Sequence, residues 1–98
     1  MKSVNKKKRT ILVIDDDESM CDLVARYLNA LGYTALTAED GKTGLMLFEE
    51  KKPDLVLLDL SMPGMDGFQV LEVLHEKIID TPVHYLRRRH REGYYPSP

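Results

Sequence analysis

The stretch Pro53-Asp54-Leu55-Val56-Leu57-Leu58-Asp59-Leu60-Ser61-Met62-Pro63-Gly64-Met65-Asp66-Gly67 decides the fold. Leu55 to Leu58 is aliphatic at every position, with Pro53 breaking the chain before it and dense turn chemistry from Met62 to Gly67 after it. A short strand that is apolar on both sides suits a parallel sheet covered on both faces. This one ends on a carboxylate, Asp59. A second strand of the same design lies upstream: Thr10-Ile11-Leu12-Val13-Ile14 runs directly into Asp15-Asp16-Asp17-Glu18.

The segments around these two strands change period. From Ser19, Met20, Leu23, Val24, Tyr27, Leu28 and Leu31 recur at i, i+3, i+4, i+7, i+8 and i+11, one face of an amphipathic helix, and Gly32 stands at the C-cap position. Thr34 to Ala38 alternates more weakly and reads as an edge strand. Asp40 is placed to cap a second helix running to about Lys51, with Leu45 and Phe48 inward. Gly41 and Gly44 weaken that helix by about 1 kcal/mol each relative to alanine if they lie in its interior. After Gly67, Val70, Leu71, Leu74 and Ile78 repeat at helical spacing, and Thr81-Pro82-Val83 reads as the start of another strand. The order β-α-β-α-β-α plus a partial fourth strand implies an α/β layered fold, an open parallel sheet with right-handed crossovers.

Bulk properties narrow the class. At 98 residues the chain suits one small domain, and 43% hydrophobic with 31% charged residues is an ordinary globular mixture. A net charge of −2 calls for neither nucleic acid nor an anionic membrane, although basic ends (Lys6 to Arg9 and Arg87 to Arg91) flank an acidic middle. The single cysteine, Cys21, excludes an internal disulfide, fits a reducing cytoplasm and falls in the first helical stretch as a small core residue. The apolar run behind the basic start is too short for a signal peptide, and nothing approaches the roughly 20 apolar residues of a membrane span.

In open α/β sheets the working site lies at the carboxyl ends of the strands. If the two acid-tipped strands are neighbours, about 4.8 Å apart, the carboxylates of Asp15 to Glu18 converge with that of Asp59. Clustered carboxylates repel unless a hard dication joins them, and Mg²⁺ prefers a few carboxylates plus water. Phosphoryl transfer needs a nucleophile, a cation to neutralise developing charge, and alignment; a carboxylate can be that nucleophile and become an acyl phosphate. The competing structural reading is a solvated acidic loop and helix cap, favourable at a helix N-terminus.

Ile11 to Asp17 resembles the first strand and acidic pair of response-regulator receiver domains, and Pro53 to Gly67 resembles that family's phosphoacceptor strand and following loop. The resemblance covers Arg9 to about Val83 and implies an incomplete flavodoxin-like, doubly wound parallel sheet. It implies that Asp59 is the phosphoacceptor, that Asp16 binds Mg²⁺ directly and Asp15 supports it, and that Ser61 supplies a backbone carbonyl to the metal. Pro63 and Gly64 would shape the loop, while Asp17 and Asp66 are capping or solvated residues. The implied partners are a sensor histidine kinase or phosphotransfer protein and a downstream effector, with no nucleic acid, no membrane and no enzymatic turnover.

The domain boundaries read as a disordered basic N-terminus over 1–9, a truncated receiver over 10–83, and a basic tail over 84–98 that departs from the family. The family's later Ser or Thr hydroxyl and its Lys are not found in that tail, so switching is expected to be impaired. Shifting the tail's reading by one base permits Ser-Ala and Lys-Asp-Ile-Ile, which suggests a frameshift near codon 84. The gene's nucleotides decide this: a stop soon after the shift, or no Lys-Pro further on, removes the idea. Alternative functions are a non-catalytic protein-interaction fragment or the inactive product of a frameshifted gene. The Asp15-x-Asp17 spacing also resembles haloacid-dehalogenase-like phosphatases, whose downstream motifs are missing here.

Overall fold

In the computed structural model, residues 8–60, 67–77 and 81–86 are described. Seven elements follow in the order β1 (Thr10–Ile14), α1 (Glu18–Ala30), β2 (Thr34–Ala38), α2 (Gly41–Lys51), β3 (Leu55–Asp59), α3 (Gly67–Lys77) and β4 (Val83–Leu86). The strands form a parallel sheet in the order β2-β1-β3-β4. β1 therefore lies between β2 and β3, and the chain reverses its direction of winding at the β1–β3 boundary. That boundary is the topological switch point where open α/β sheets place their sites.

β1 and β3 carry continuous apolar runs because each faces two layers. Leu12, Ile14, Val56 and Leu58 enter a core with Phe48 of α2 and Val70 and Leu74 of α3. On the opposite face, Ile11 and Val13 pack with Cys21 and Leu28 of α1, flanked by half-buried Leu55 and Leu57. Asp40 caps α2 through both oxygens, accepting from the Thr43 N–H at 2.7 Å and the Thr43 hydroxyl at 3.1 Å. These bonds hold its carboxyl below the ordinary carboxylate range. α1 ends in a Schellman turn at Gly32 (φ 101°), where Tyr33 N–H reaches Leu28 and Gly32 N–H reaches Asn29.

Two expectations need correction. The inward line of α1 is Cys21, Val24 and Leu28, whereas Leu23, Tyr27 and Leu31 are 61%, 65% and 57% exposed. The helix lies over β1 and β2 with its small Cys21 side down, so the apolar stripe is wider than the surface it covers. Secondly, His84, Tyr85 and Leu86 do not begin a tail outside the sheet: they complete β4, with Asp59 opposite Leu86. β4 lies at the sheet edge among the described residues. Its half-buried Val83 and exposed His84 alternate, where β1 and β3 are continuously apolar. Most of the stretches expected to be disordered, 1–9 and 84–98, lie outside the described residues, as does the helical place of Ile78; within those stretches, the Arg9 carbonyl accepts from Thr34 N–H at 2.9 Å and 84–86 belong to β4.

Gly44 explains itself in the structure. It is buried in mid-α2, and a Cβ there would sit 2.6 Å from Ile14 Cδ1 and 2.8 Å from Ile14 Cγ1. The glycine lets α2 approach β1, so alanine's helix-propensity gain of about 1 kcal/mol is outweighed by overpacking of about 1–3 kcal/mol. Gly44→Ala is expected to lower the urea midpoint, with Lys42→Ala on the exposed face close to neutral. An unchanged or raised midpoint for Gly44→Ala would show that Ile14 yields freely.

Candidate functional site

β1 and β3 place the site through their register. Ile14 pairs with Leu58, so the residues immediately following, Asp15 and Asp59, stand side by side at the carboxyl edge. One carboxylate oxygen from each of Asp15, Asp16 and Asp59 lies within 4.8 Å of the others. Asp15 and Asp59 are only 7% and 3% exposed, whereas Asp16 faces solvent. The cluster thus has two carboxylates set into the sheet edge and one at its mouth.

The backbone of the β1–α1 loop is held from several directions. Asp15 N–H donates to Ala38 of β2 at 3.0 Å, which extends the β1–β2 pairing by one residue. The Asp15 carboxylate accepts from Asp17 N–H at 3.0 Å, and Asp17 in turn caps α1 by accepting from Met20 N–H at 3.2 Å. The Cys21 thiol donates to the Asp15 carbonyl at 3.3 Å. Asp17 is therefore a capping residue, and of the acids at the two strand ends Asp15, Asp16 and Asp59 are the ones that meet.

Like charges at about 4 Å repel by about 4 kcal/mol at an effective dielectric of 20. An all-oxygen set this close suits a small hard cation; Mg²⁺ sits about 2.0–2.1 Å from its ligands and keeps several waters. The spacing allows direct contact by some of these oxygens and contact through water by others. Ser61, with Pro63, Gly64 and Asp66, lies outside the described residues.

The family model for the response regulator receiver domain matches residues 11–94. The chain belongs to the response regulator receiver domain family. This receiver is 38% identical over 89 residues to the alkaline phosphatase synthesis transcriptional regulatory protein PhoP of Bacillus subtilis, covering 91% of this chain and 36% of that protein. It is 36% identical over 80 residues to the autoinducer 1 sensor kinase/phosphatase LuxN of Vibrio campbellii, covering 82% of this chain and 9% of that one. Among solved structures, the N-terminal domain of a response regulator receiver protein from Methanoculleus marisnigri superposes with a TM-score of 0.76 at 38% identity. That match covers 79% of this chain and 64% of the other. The receiver therefore spans about a third, or less, of these curated relatives. Among its described residues no helix is long and apolar enough to cross a membrane.

Two supports of the site were not legible as such in the sequence. Gly44 read as a weak point in a helix, yet it seats α2 against Ile14, the residue before Asp15. Cys21 read as filler, yet it anchors the Asp15 carbonyl. Burial, with the charges of Asp15 and Glu39, pushes the Cys21 thiol up to about 11 from its ordinary value of 9.0. At about pH 8 the thiolate fraction falls from roughly a tenth to about a thousandth, and thiolate is the reactive form. Iodoacetamide is expected to alkylate the native receiver at least about fiftyfold more slowly than the urea-unfolded chain. The unfolded thiol ionises first, so stability contributed by Cys21 is present below pH 9.0 and is lost as pH rises toward about 11. Equal alkylation rates in the two states would contradict the buried, hydrogen-bonded thiol.

Proposed function

We propose that this receiver is the phosphoacceptor module of a two-component phosphorelay. In this reading Asp59 takes a phosphoryl group from a sensor histidine kinase or a histidine phosphotransfer protein in the cytoplasm. The observation that carries it is the convergence of Asp15, Asp16 and Asp59 within 4.8 Å at the switch point of a receiver-family sheet. The Asp59 carboxylate oxygen attacks the phosphorus of a phosphohistidine, the P–N bond breaks, and the imidazole leaves with the electron pair and takes a proton from water. Asp15, Asp16, Asp59 and the Ser61 carbonyl would hold Mg²⁺. The bound ion would neutralise charge on the phosphoryl oxygens.

Within that scheme the chain's own residues have distinct tasks. Asp59, buried at the end of β3, presents its nucleophilic oxygen from a fixed backbone. Asp15 is oriented by Asp17 N–H and by the ladder bond to Ala38, so its charge is positioned before any ligand arrives. Asp16 lies at the mouth, where a cation or phosphoryl group would be met first.

Incubation with Mg²⁺ and a small acyl phosphate is expected to add one phosphoryl group by intact mass, with none in Asp59→Asn and none when Mg²⁺ is chelated. No adduct on soluble, folded protein would overturn the acceptor role and favour a non-catalytic interaction module. The exposed line of Leu23 and Tyr27 on α1 and Leu31 at its C-cap, on a helix that begins beside the acidic loop, supports docking of the donor along that helix. Tyr27→Asp is then expected to slow transfer from a phosphorylated histidine donor at least fivefold while sparing the acyl phosphate reaction. Equal slowing of both, or of neither, would remove α1 from the docking surface.

A further inference from the structure

The end of the sheet opposite the acidic cluster carries a site of the opposite charge. Three segments distant in sequence meet there around an open cleft of about 730 Å³: Lys8 and Arg9 before β1, Tyr33 before β2, and Lys51 and Lys52 before β3. Asp54 is the one carboxylate lining it among the described residues, and its Oδ2 accepts from Thr10 N–H at 2.7 Å. The formal charge of the lining is thus +3, from four cations and one carboxylate. The C-termini of α1 and α2 point to the same end and bring about −0.5 each, so the cleft stays near +2.

We infer that this cleft binds a nucleoside polyphosphate, with the phosphates on Lys8, Arg9, Lys51 and Lys52 and the base against Tyr33. The volume falls within the range of about 300–1,000 Å³ of small-molecule sites. The four cations line one cleft, which favours a compact polyanion over a nucleic-acid strand tracking a groove. Tyr33 is the aromatic residue lining the cleft among the described residues and remains 37% exposed. Lys52 is the one non-glycine residue with positive φ (46°) among those described, a conformation that glycine or asparagine adopts more readily. It keeps a cation at the cleft where a helix C-terminus most often has glycine. Five-residue strands separate this end from Asp59 by about 17 Å, so the two sites are distinct.

The test uses the full chain in EDTA, which keeps divalent ions from carrying nucleotide to the acidic end. ATP is titrated by NMR and calorimetry, alongside inorganic triphosphate, adenosine and a single-stranded DNA oligonucleotide. ATP shifts are expected at 8–10, 31–33 and 51–54, and ATP is expected to bind more tightly than triphosphate or adenosine. Lys8→Glu/Lys51→Glu is expected to weaken ATP at least tenfold. Tyr33→Ala should weaken ATP while leaving triphosphate within twofold. The mapping on the unaltered chain decides the matter even if a variant folds poorly. Shifts centred on 15–17 and 59, no loss on charge reversal, or an oligonucleotide that outbinds ATP tenfold would each overturn the assignment.

Discussion

Parallel strands that share a ladder must present their carboxyl ends at the same edge of the sheet, and the pairing of β1 with β3 is the constraint on which the site depends. The register from Ile11 opposite Leu55 to Ile14 opposite Leu58 aligns Asp15 with Asp59. At the far end, Asp54 fixes that register twice: its N–H donates to the Thr10 carbonyl at 2.8 Å, and its carboxylate accepts from Thr10 N–H at 2.7 Å. A slip of one residue would turn every side chain of the strand to the other face. It would expose Val56 and Leu58 to the wrong layer and separate the two buried carboxylates.

The two helical layers then act on β1 from opposite sides. Gly44 of α2 lies against Ile14 on one face, and Cys21 of α1 holds the Asp15 carbonyl on the other. Both residues are small, and both allow close approach where a larger side chain would push a helix off the strand. The acidic edge is therefore set by backbone placement and packing more than by its own side chains. The acids oppose one another electrostatically, so apolar burial beneath them must offset the repulsion, and Leu12, Ile14, Val56 and Leu58 supply that burial.

How much of this the sequence revealed follows from what kind of signal each feature leaves. β1 and β3 were legible because continuous aliphatic runs ending in acid are unusual outside two-sided parallel strands. The caps at Asp17 and Asp40 and the turn at Gly32 follow local rules and stand where local reasoning put them. The acidic edge was legible because strand ends in parallel sheets share an edge, whereas the resemblance to receivers singled out Asp15, Asp16 and Asp59 among its acids. The inward face of α1 was not, because periodicity identifies an apolar stripe but not which part of it a neighbour covers; Leu23 and Leu28 look alike in sequence. β4 was underestimated because an edge strand needs only alternation, and His84 among arginines conceals it. The basic cleft was also invisible: Lys8, Tyr33 and Lys51 share no motif, and only the return of each crossover to the same end of the sheet brings them together.

Among the described residues the sheet is polarised, with clustered carboxylates at the carboxyl ends of β1 and β3 and mostly ammonium and guanidinium groups at the amino ends. The most direct test of the central claim, that β1 and β3 build one cation-binding phosphoacceptor site, is paramagnetic broadening by Mn²⁺ used in place of Mg²⁺. The account expects substoichiometric Mn²⁺ to erase amide resonances at 14–17 and 58–60 first, with protection when Mg²⁺ competes and loss of the effect in Asp15→Asn/Asp16→Asn. Broadening spread evenly over the acidic surface, or unaltered in that variant, would contradict it.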